Sequence, residues 1–283
     1  MAEAGPDLRF DLVVATVDRT DVLAALLRSL EFQTHLAFRV VVVDQNEDER
    51  VADVLSSHSA LEVLRLRSER GLSRARNVAL PQVTGDLVAF PDDDCSYPPD
   101  LLARVAATFA ARPELEGLTG RAATPDGETD PSWPLEGAVL NASNLWNRVI
   151  SFGIFLRREV VERVGAFEES LGLGSGSLWS SGEEVEYVVR AIRAGARIEY
   201  DPGLIVHHAL KRYTRHELRA VGLRDGASAG WILRRHGYGV RATARMLLRP
   251  LGGIGLSVAR GDLSRASFHA ATLRGRVRGY LRA

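Results

Sequence analysis

Cysteine occurs once in this chain, at Cys95, and lysine once, at Lys211. A single thiol excludes an intramolecular disulfide and suits a reducing compartment. The other basic residues are almost all arginine, which reads as coding bias. No run of 18 uninterrupted apolar residues occurs, so no spanning helix is expected. The segment Met1–Asp11 has no apolar stretch of the signal-peptide kind. These absences lead us to expect a cytoplasmic protein. What remains is ordinary for a globular chain: 283 residues, 46% hydrophobic and 25% charged, enough for one large domain or a domain with an appendage.

The formal net charge of zero hides a division. From Lys211 to Ala283 there are 16 Lys and Arg against 3 Asp and Glu, a net of +13, and the preceding 210 residues carry −13. We therefore expect an acidic catalytic body, residues 1–210, and a basic helical extension, residues 211–283, with a separate task.

The first half alternates short apolar runs with helical patterns, the signature of an α/β protein with a mostly parallel sheet flanked by helices. Strands are expected over Leu12–Thr16, Val40–Asp44, Leu61–Leu66 and Leu87–Phe90, and helices over Asp21–Leu30, Glu47–Ser56 and Ser73–Ala79. Residues Glu116–Asn147 read as loops punctuated by prolines. Ser151–Leu156 reads as a strand, Arg158–Val164 as a short helix, and the glycine-rich segment Leu171–Gly182 as a flexible loop. Glu183–Ala194 then reads as a helix, Arg197–Tyr200 and Leu204–His207 as two short strands. Beyond about residue 215 the pattern is helical, with breaks at Gly252, Gly253 and Gly255. Each early strand ends in polar residues: Thr16-Val17-Asp18, Asp44-Gln45-Asn46 and Asp92-Asp93-Asp94. They should converge on the rim outside the carboxyl ends of the strands, where open α/β sheets bind ligands.

Asp92-Asp93-Asp94 is the most informative of these groups. Three adjacent carboxylates repel one another unless a cation neutralises them, and hard oxygen donors suit Mg²⁺ or Mn²⁺ against a phosphate-bearing substrate. An acidic turn capping the next helix is the alternative. If the segment stays extended, Asp93 points away from Asp92 and Asp94.

The ordered set of motifs resembles an inverting glycosyltransferase of family 2, with the GT-A fold, over roughly residues 10–210. Val41-Val42-Val43-Asp44 is similar to the nucleotide-contacting end of the second strand. Gly71-Leu72-Ser73-Arg74-Ala75-Arg76-Asn77 resembles the family's Gly…Ala-Arg-Asn segment, Phe90-Pro91-Asp92-Asp93-Asp94 its Asp-x-Asp metal motif, and Gly182-Glu183-Glu184 its base motif. The resemblance implies a metal-dependent transfer of a sugar from a nucleoside-diphosphate sugar to a hydroxyl acceptor. It implies Asp94 as metal ligand, Asp92 shared between metal and ribose, and one further ligand from His207 or His208, with spacing favouring His208. Thr16, Asp18, Asp44, Arg74, Arg76, Asn77, Asp92 and Asp93 are the expected nucleotide-sugar contacts. Asp44 also suits a helix cap, and Gln45 stands where relatives often carry a second Asp.

An inverting transfer needs a general base opposite the leaving group. Glu184, or Glu183 beside it, lies in the first turn of a helix whose dipole favours a carboxylate; both also suit a plain helix start. The family usually has Asp at 184. Val185, Val188, Val189 and Ile192 form the expected apolar face, with Glu186 and Arg190 paired on the outside. Trp179 could stack on an acceptor sugar or serve as a buried anchor, and Gly182 belongs to the same acceptor loop.

For the basic tail the expected partner is an anionic membrane surface, with peripheral placement on the inner face of the cell membrane and a lipid-linked or cell-surface glycan acceptor. Packing of its helices on the acidic body is the alternative. No nucleic-acid motif accompanies the charge, and nucleic acid is not an expected partner. Two rival activities remain. A sugar nucleotidyltransferase would carry a glycine-rich first loop and a phosphate lysine, but Thr16-Val17-Asp18-Arg19 has no glycine and the one lysine is in the tail. A non-catalytic nucleotide-binding module would have no need of Asp92, Asp94 and Glu184 together.

Overall fold

The computed structural model describes residues 8–211 and 213–283. Most of the segment Met1–Asp11, read above for a signal peptide, lies outside them.

Strand β1 (Phe10–Thr16) is buried along nearly its whole length, and so is β2 (Phe38–Asp44). Near-continuous apolar runs such as Val40–Val43 belong to parallel strands covered on both faces. The two pair in parallel from Phe10↔Phe38 to Thr16↔Asp44, so their polar last residues lie side by side. Helix α1 (Thr20–Glu31) covers them with Leu23, Leu26, Leu27 and Leu30, the i, i+3, i+4, i+7 stripe of an amphipathic helix. Helix α2 (Arg50–Ser56), strand β3 (Val63–Arg67) and helix α3 (Leu72–Ala79) complete the parallel half. Strand β4 (Leu87–Ala89) returns to pair with β1.

The other half is mixed. It contains β5 (Cys95–Ser96), α4 (Leu101–Ala111), β6 (Gly117–Ala123), β7 (Ala138–Val139), β8 (Ile154–Arg157), α5 (Arg158–Val164), α6 (Glu183–Arg193) and β9 (Ile198–His208). The strand order is β3-β2-β1-β4-β8-β6-β9-β5, with β7 also on β9. Strand β9 is parallel to β6 and antiparallel to both β5 and β7. Between the pairs Thr119↔Tyr200 and Arg121↔Ile205, β6 advances two residues while β9 advances five. The bulge in β9 lies opposite Gly120, where an added side chain would strike the Leu204 carbonyl.

Several sequence expectations need correction. Residues Ser151–Gly153 form a 3₁₀ turn, and the strand begins only at Ile154. The two strands expected around Pro202-Gly203 are one strand, because the bulge absorbs the proline without ending the pairing. Strand β6, within the stretch read as loops, is a buried interior strand. Its glycines and threonine weaken the strand pattern, yet Gly117 has no room for a side chain between Leu156 and Ile198.

By packing, the described chain forms two units. One runs to Phe167 and resumes at Tyr187–Leu210; the other comprises Glu168–Glu186 and Lys211–Ala283. In the second, α7 (Arg215–Arg235), α8 (Val240–Ala259) and α9 (Leu263–Arg282) follow one another. Helix α7 starts with a capping box, Thr214 and Glu217 bonding reciprocally. Helices α7 and α9 run parallel in intimate contact: Gly222 faces Phe268, Gly226 faces Thr272 and Gly230 faces Arg276, while Gly275 and Gly279 seat against Leu223 and Ala227. Gly252, Gly253 and Gly255 do not break α8, which continues through them and through Pro250. A helical glycine costs only about 1 kcal/mol relative to alanine, and Gly253 makes room for the His269 ring of α9. Among the described residues no helix is long and apolar enough to cross a membrane.

Candidate active site

The polar strand ends are tied to one another at the carboxyl rim. Thr16 Oγ1 donates to Asp93 Oδ2 (2.8 Å), and Gln45 N donates to the Thr16 carbonyl (3.0 Å). Gln45 Oε1 accepts from Gly71 N (2.7 Å), which anchors the start of α3 at a φ of 138° that glycine tolerates. Asn46 Oδ1 accepts from Asp18 N (2.8 Å), and Asp18 itself has φ 61°. The strained Asp18 backbone and the two amide side chains thus form a fixed frame around the rim.

Within that frame the aspartate triplet divides by direction. The segment turns, Cys95 N donating to the Asp92 carbonyl (3.2 Å). Asp93 is buried and pairs with Arg19 as well as Thr16. Burial pushes its pKa up to about 6 against the opposing pull of Arg19 and Thr16, with Asp94 and Asp92 adding to the rise. Asp92 Oδ1 accepts from Ser151 Oγ (2.9 Å) and Arg76 Nη2 (3.3 Å). Asp94 Oδ2 accepts from Arg19 Nη1 (2.8 Å), and its Oδ1 lies 3.2 Å from His208 Nε2.

The histidine arrives by strand pairing. Strand β5 sets Cys95 opposite His208 and Ser96 opposite His207. Side chains alternate across a strand, so only one of the two histidines can face Asp94. It is His208, whose ring stacks on Phe152 at 4.9 Å. No hydrogen bond, ion pair or ring contact engages the His207 side chain among the described residues.

A carboxylate oxygen and an imidazole nitrogen this close form a fitting donor pair for Mn²⁺ or Mg²⁺. Such ions keep positions for substrate phosphates and water rather than requiring a closed cage. Among the described residues no cluster of three or more His, Cys, Asp or Glu side chains is arranged as a cage.

Asp44 is fully buried. Its Oδ1 accepts from Asn46 N and Nδ2, and its Oδ2 from Arg65 Nη2 at 2.6 Å. Burial raises its pKa, but the Asn46 and Arg65 hydrogen bonds outweigh that and hold it below the ordinary range. Asp44 therefore shapes the Asn46 turn. Arg74 is half-exposed and pairs with Glu69. Arg76 is 1% exposed, its guanidinium lying over the rings of Phe90 and Phe167. Asn77 clasps the Phe167 backbone, accepting from its N–H (2.7 Å) and donating to its carbonyl (3.0 Å).

The remaining candidates belong to the second unit. Gly182 (φ 75°) precedes α6, its carbonyl accepting from Glu186 N; an added Cβ would lie 3.2 Å from that of Ser228. Glu183 is buried at the helix start and Glu184 is partly exposed beside it. Glu186 is not on the outside as expected: it is 3% exposed and hydrogen-bonded to His236 Nε2 (3.0 Å). A partner contributed by the residue that caps the end of α7 was invisible to helical periodicity. Trp179 sits beside Trp231, ring centroids 6.3 Å apart, with Nε1 donating to Ser170 Oγ.

Sequence reasoning missed three contributors. Arg19 had entered only as a non-glycine position, yet it neutralises Asp93 and Asp94. Its own pKa is raised, their charges outweighing the opposing effect of burial. Ser151 follows no motif. Gln45 was noted as a departure and turns out to be a brace. An arginine directly after a polar strand end was the one readable signal.

Comparison with known proteins matches the model of glycosyl transferase family 2 to residues 11–165. The chain belongs to this family. The pre-mycofactocin glycosyltransferase of Mycobacterium tuberculosis is 29% identical, the alignment covering 88% of this chain and 58% of that protein, so this family 2 chain spans little more than half that relative's length. The succinoglycan biosynthesis protein ExoM of Rhizobium meliloti is 27% identical over 83% of this chain and 78% of that protein. Among solved structures, the mannosyltransferase PcManGT from Pyrobaculum calidifontis, in complex with GDP-Man and Mn²⁺, aligns with TM-score 0.70 at 17% identity. It covers 98% of this chain and 89% of that one. S. aureus TarS 1–349 in complex with UDP-GlcNAc aligns with TM-score 0.60 at 18% identity, covering 95% and 92%. The family 2 chain thus has the GT-A architecture, an α/β fold with C-terminal helices.

Proposed function

We propose that the protein is a metal-dependent inverting glycosyltransferase. It would move a sugar from a nucleoside-diphosphate sugar to a hydroxyl of a glycan or lipid-linked acceptor. The observation that carries this reading is the Asp94–His208 pair at the carboxyl rim of the sheet. The nucleotide sugars and Mn²⁺ bound by the structurally similar transferases lend it support.

Asp94 and His208 would hold the cation, with Asp92 turned toward the donor. Bound there, Mn²⁺ or Mg²⁺ supplies a Lewis acid for the departing diphosphate. Thr16 and Asp93 fix the floor of the donor site, while Asp18, Arg74 and Arg76 supply charge around the nucleotide. Asp44 and Asn77 act through the backbone they hold. Glu184, with Glu183 beside it, accepts the proton of the acceptor hydroxyl. The hydroxyl oxygen bonds to the anomeric carbon, the bond from that carbon to the diphosphate breaks with its electron pair leaving on the phosphate, and configuration inverts. Trp179 and Gly182 belong to the acceptor loop.

The test is a panel of nucleoside diphosphates in thermal-shift assays with Mn²⁺, with Mg²⁺ and with EDTA. A ligand that binds only the native state raises the melting temperature. The expected result is a metal-dependent rise for one nucleotide, lost in Asp94→Ala. A folded protein that responds to no nucleotide overturns the reading.

A further inference from the structure

The arginines of the two units live differently. In the first, guanidiniums are paired with buried carboxylates, as Arg39 is with Asp11 and Arg65 with Asp44. In the second, the three acids after Lys211 are already engaged. Glu217 closes the α7 capping box, Asp225 holds Arg224, and Asp262 caps α9. From Lys211 onward, 16 Lys and Arg share these three acids.

Two of them gather at one place. A cleft of about 590 Å³ between α7 and α9 is lined by His216, Arg219 and Leu223 on one side and Ala270, Ala271 and Arg274 on the other. Neither Arg219 nor Arg274 has a hydrogen-bond or ion-pair partner among the described residues. No carboxylate lines the cleft. Apart from Ser267 its walls are leucine and alanine, so the space is cationic where the arginines stand and mostly apolar between them. Two guanidiniums beside an imidazole suit a phosphate, which accepts several charge-assisted hydrogen bonds at once. An apolar wall beside that charge suits a hydrocarbon chain.

Helix α8, which packs on α9, points to the source of such a ligand. From Pro250 to Ala259 it carries no charge. Leu251, Leu256 and Val258 are nevertheless 49%, 54% and 56% exposed. Arg249 and Arg260 bracket this run, with Arg241 and Arg245 upstream. An exposed apolar stretch framed by arginines is the make-up of a helix that lies in the surface of an anionic bilayer.

We propose that the α7–α9 cleft receives the phosphate of an anionic lipid, with Arg219, Arg274 and His216 on the phosphate and Leu223 and the alanine wall against the start of the chain. The site is independent of which sugar is transferred.

The test is flotation of the full chain with phosphatidylcholine vesicles, alone or containing phosphatidic acid, and with phosphatidylserine vesicles of matched charge. The protein should favour the phosphatidic acid vesicles, and inorganic phosphate should compete. Arg219→Gln/Arg274→Gln should weaken binding about thirtyfold, from roughly fivefold for each basic residue at an anionic surface. Arg235→Gln/Arg282→Gln removes the same charge from the other ends of α7 and α9 and should leave the preference intact. Ala270→Glu, which keeps both arginines but adds a carboxylate, should weaken binding too. All these positions are exposed, and matching melting temperatures would establish that the variants fold. Equal losses in both arginine pairs would reduce the effect to diffuse charge and overturn the proposal. So would a melting shift with free phosphate, lost in Arg219→Gln/Arg274→Gln, without preference for phosphatidic acid vesicles, which would mark a soluble phosphate as the ligand.

Discussion

The Asp94 carboxylate and the His208 imidazole lie 3.2 Å apart because the short strand after the aspartates pairs with the last residues of β9. Half of the candidate metal site thus depends on the strand pairing that is most distant in sequence within the sheet.

If the pair holds the cation, Asp94→Ala and His208→Ala should each weaken the metal-dependent response to nucleotide by at least about tenfold, since even outer-shell partners of a metal cost 10–100-fold. His207→Ala should leave it unchanged. Mn²⁺ titrations in the thermal-shift assay separate the three.

Glu184→Gln should lower the rate of sugar transfer by about 10²–10⁴, the usual contribution of a general base, while the nucleotide-induced shift in melting temperature stays as in the unaltered protein. A fully active Glu184→Gln enzyme would pass the role to Glu183, to be checked by Glu183→Gln.

Asp11 is fully buried between Arg39 and the backbone N–H groups of Thr84 and Gly85. Burial raises its pKa, but these hydrogen bonds win and hold it below the ordinary 3.8. A carboxylate whose folded pKa is depressed stabilises the fold above its unfolded pKa, and that contribution fades as pH falls through the folded value. Asp11→Ala should cost about 3–5 kcal/mol at neutral pH by stranding Arg39. It should also flatten the loss of stability below pH 3.8, as read by denaturant titration across that range.

Gly226→Ala should destabilise the helical unit more than a typical overpacking change of about 1–3 kcal/mol, because the added methyl meets the Thr272 backbone rather than a movable side chain. Gly255→Ala, in open space, should be neutral or stabilising. Melting curves of the two variants test the contrast.

The parallel half of the fold was readable because its strands are short, continuous apolar runs and its helices carry single stripes, as Leu23 to Leu30 do. The rim was readable for the same reason, since parallel strands end together. Strand β6 was not: it is built from Gly117, Thr119 and Gly120, residues chosen for close approach rather than for strand propensity. Glu186 was misplaced because its partner His236 is supplied from the end of another helix, and periodicity sees only one helix at a time. Arg19 and Ser151 answer to charges that folding gathers, and no spacing along the chain records them.

The bulge in β9 decides which of two neighbouring histidines faces Asp94. It takes up three residues more than its partner strand uses, an odd number, and an odd number reverses which face every later side chain presents. Shortening the Pro202-Gly203 segment by one residue while the bulge keeps its length would set His208 where His207 stands and Ala209 where His208 stands, leaving Asp94 without an imidazole beside it. Which side chain meets Asp94 is therefore a matter of parity, set by a count of residues that never touch it.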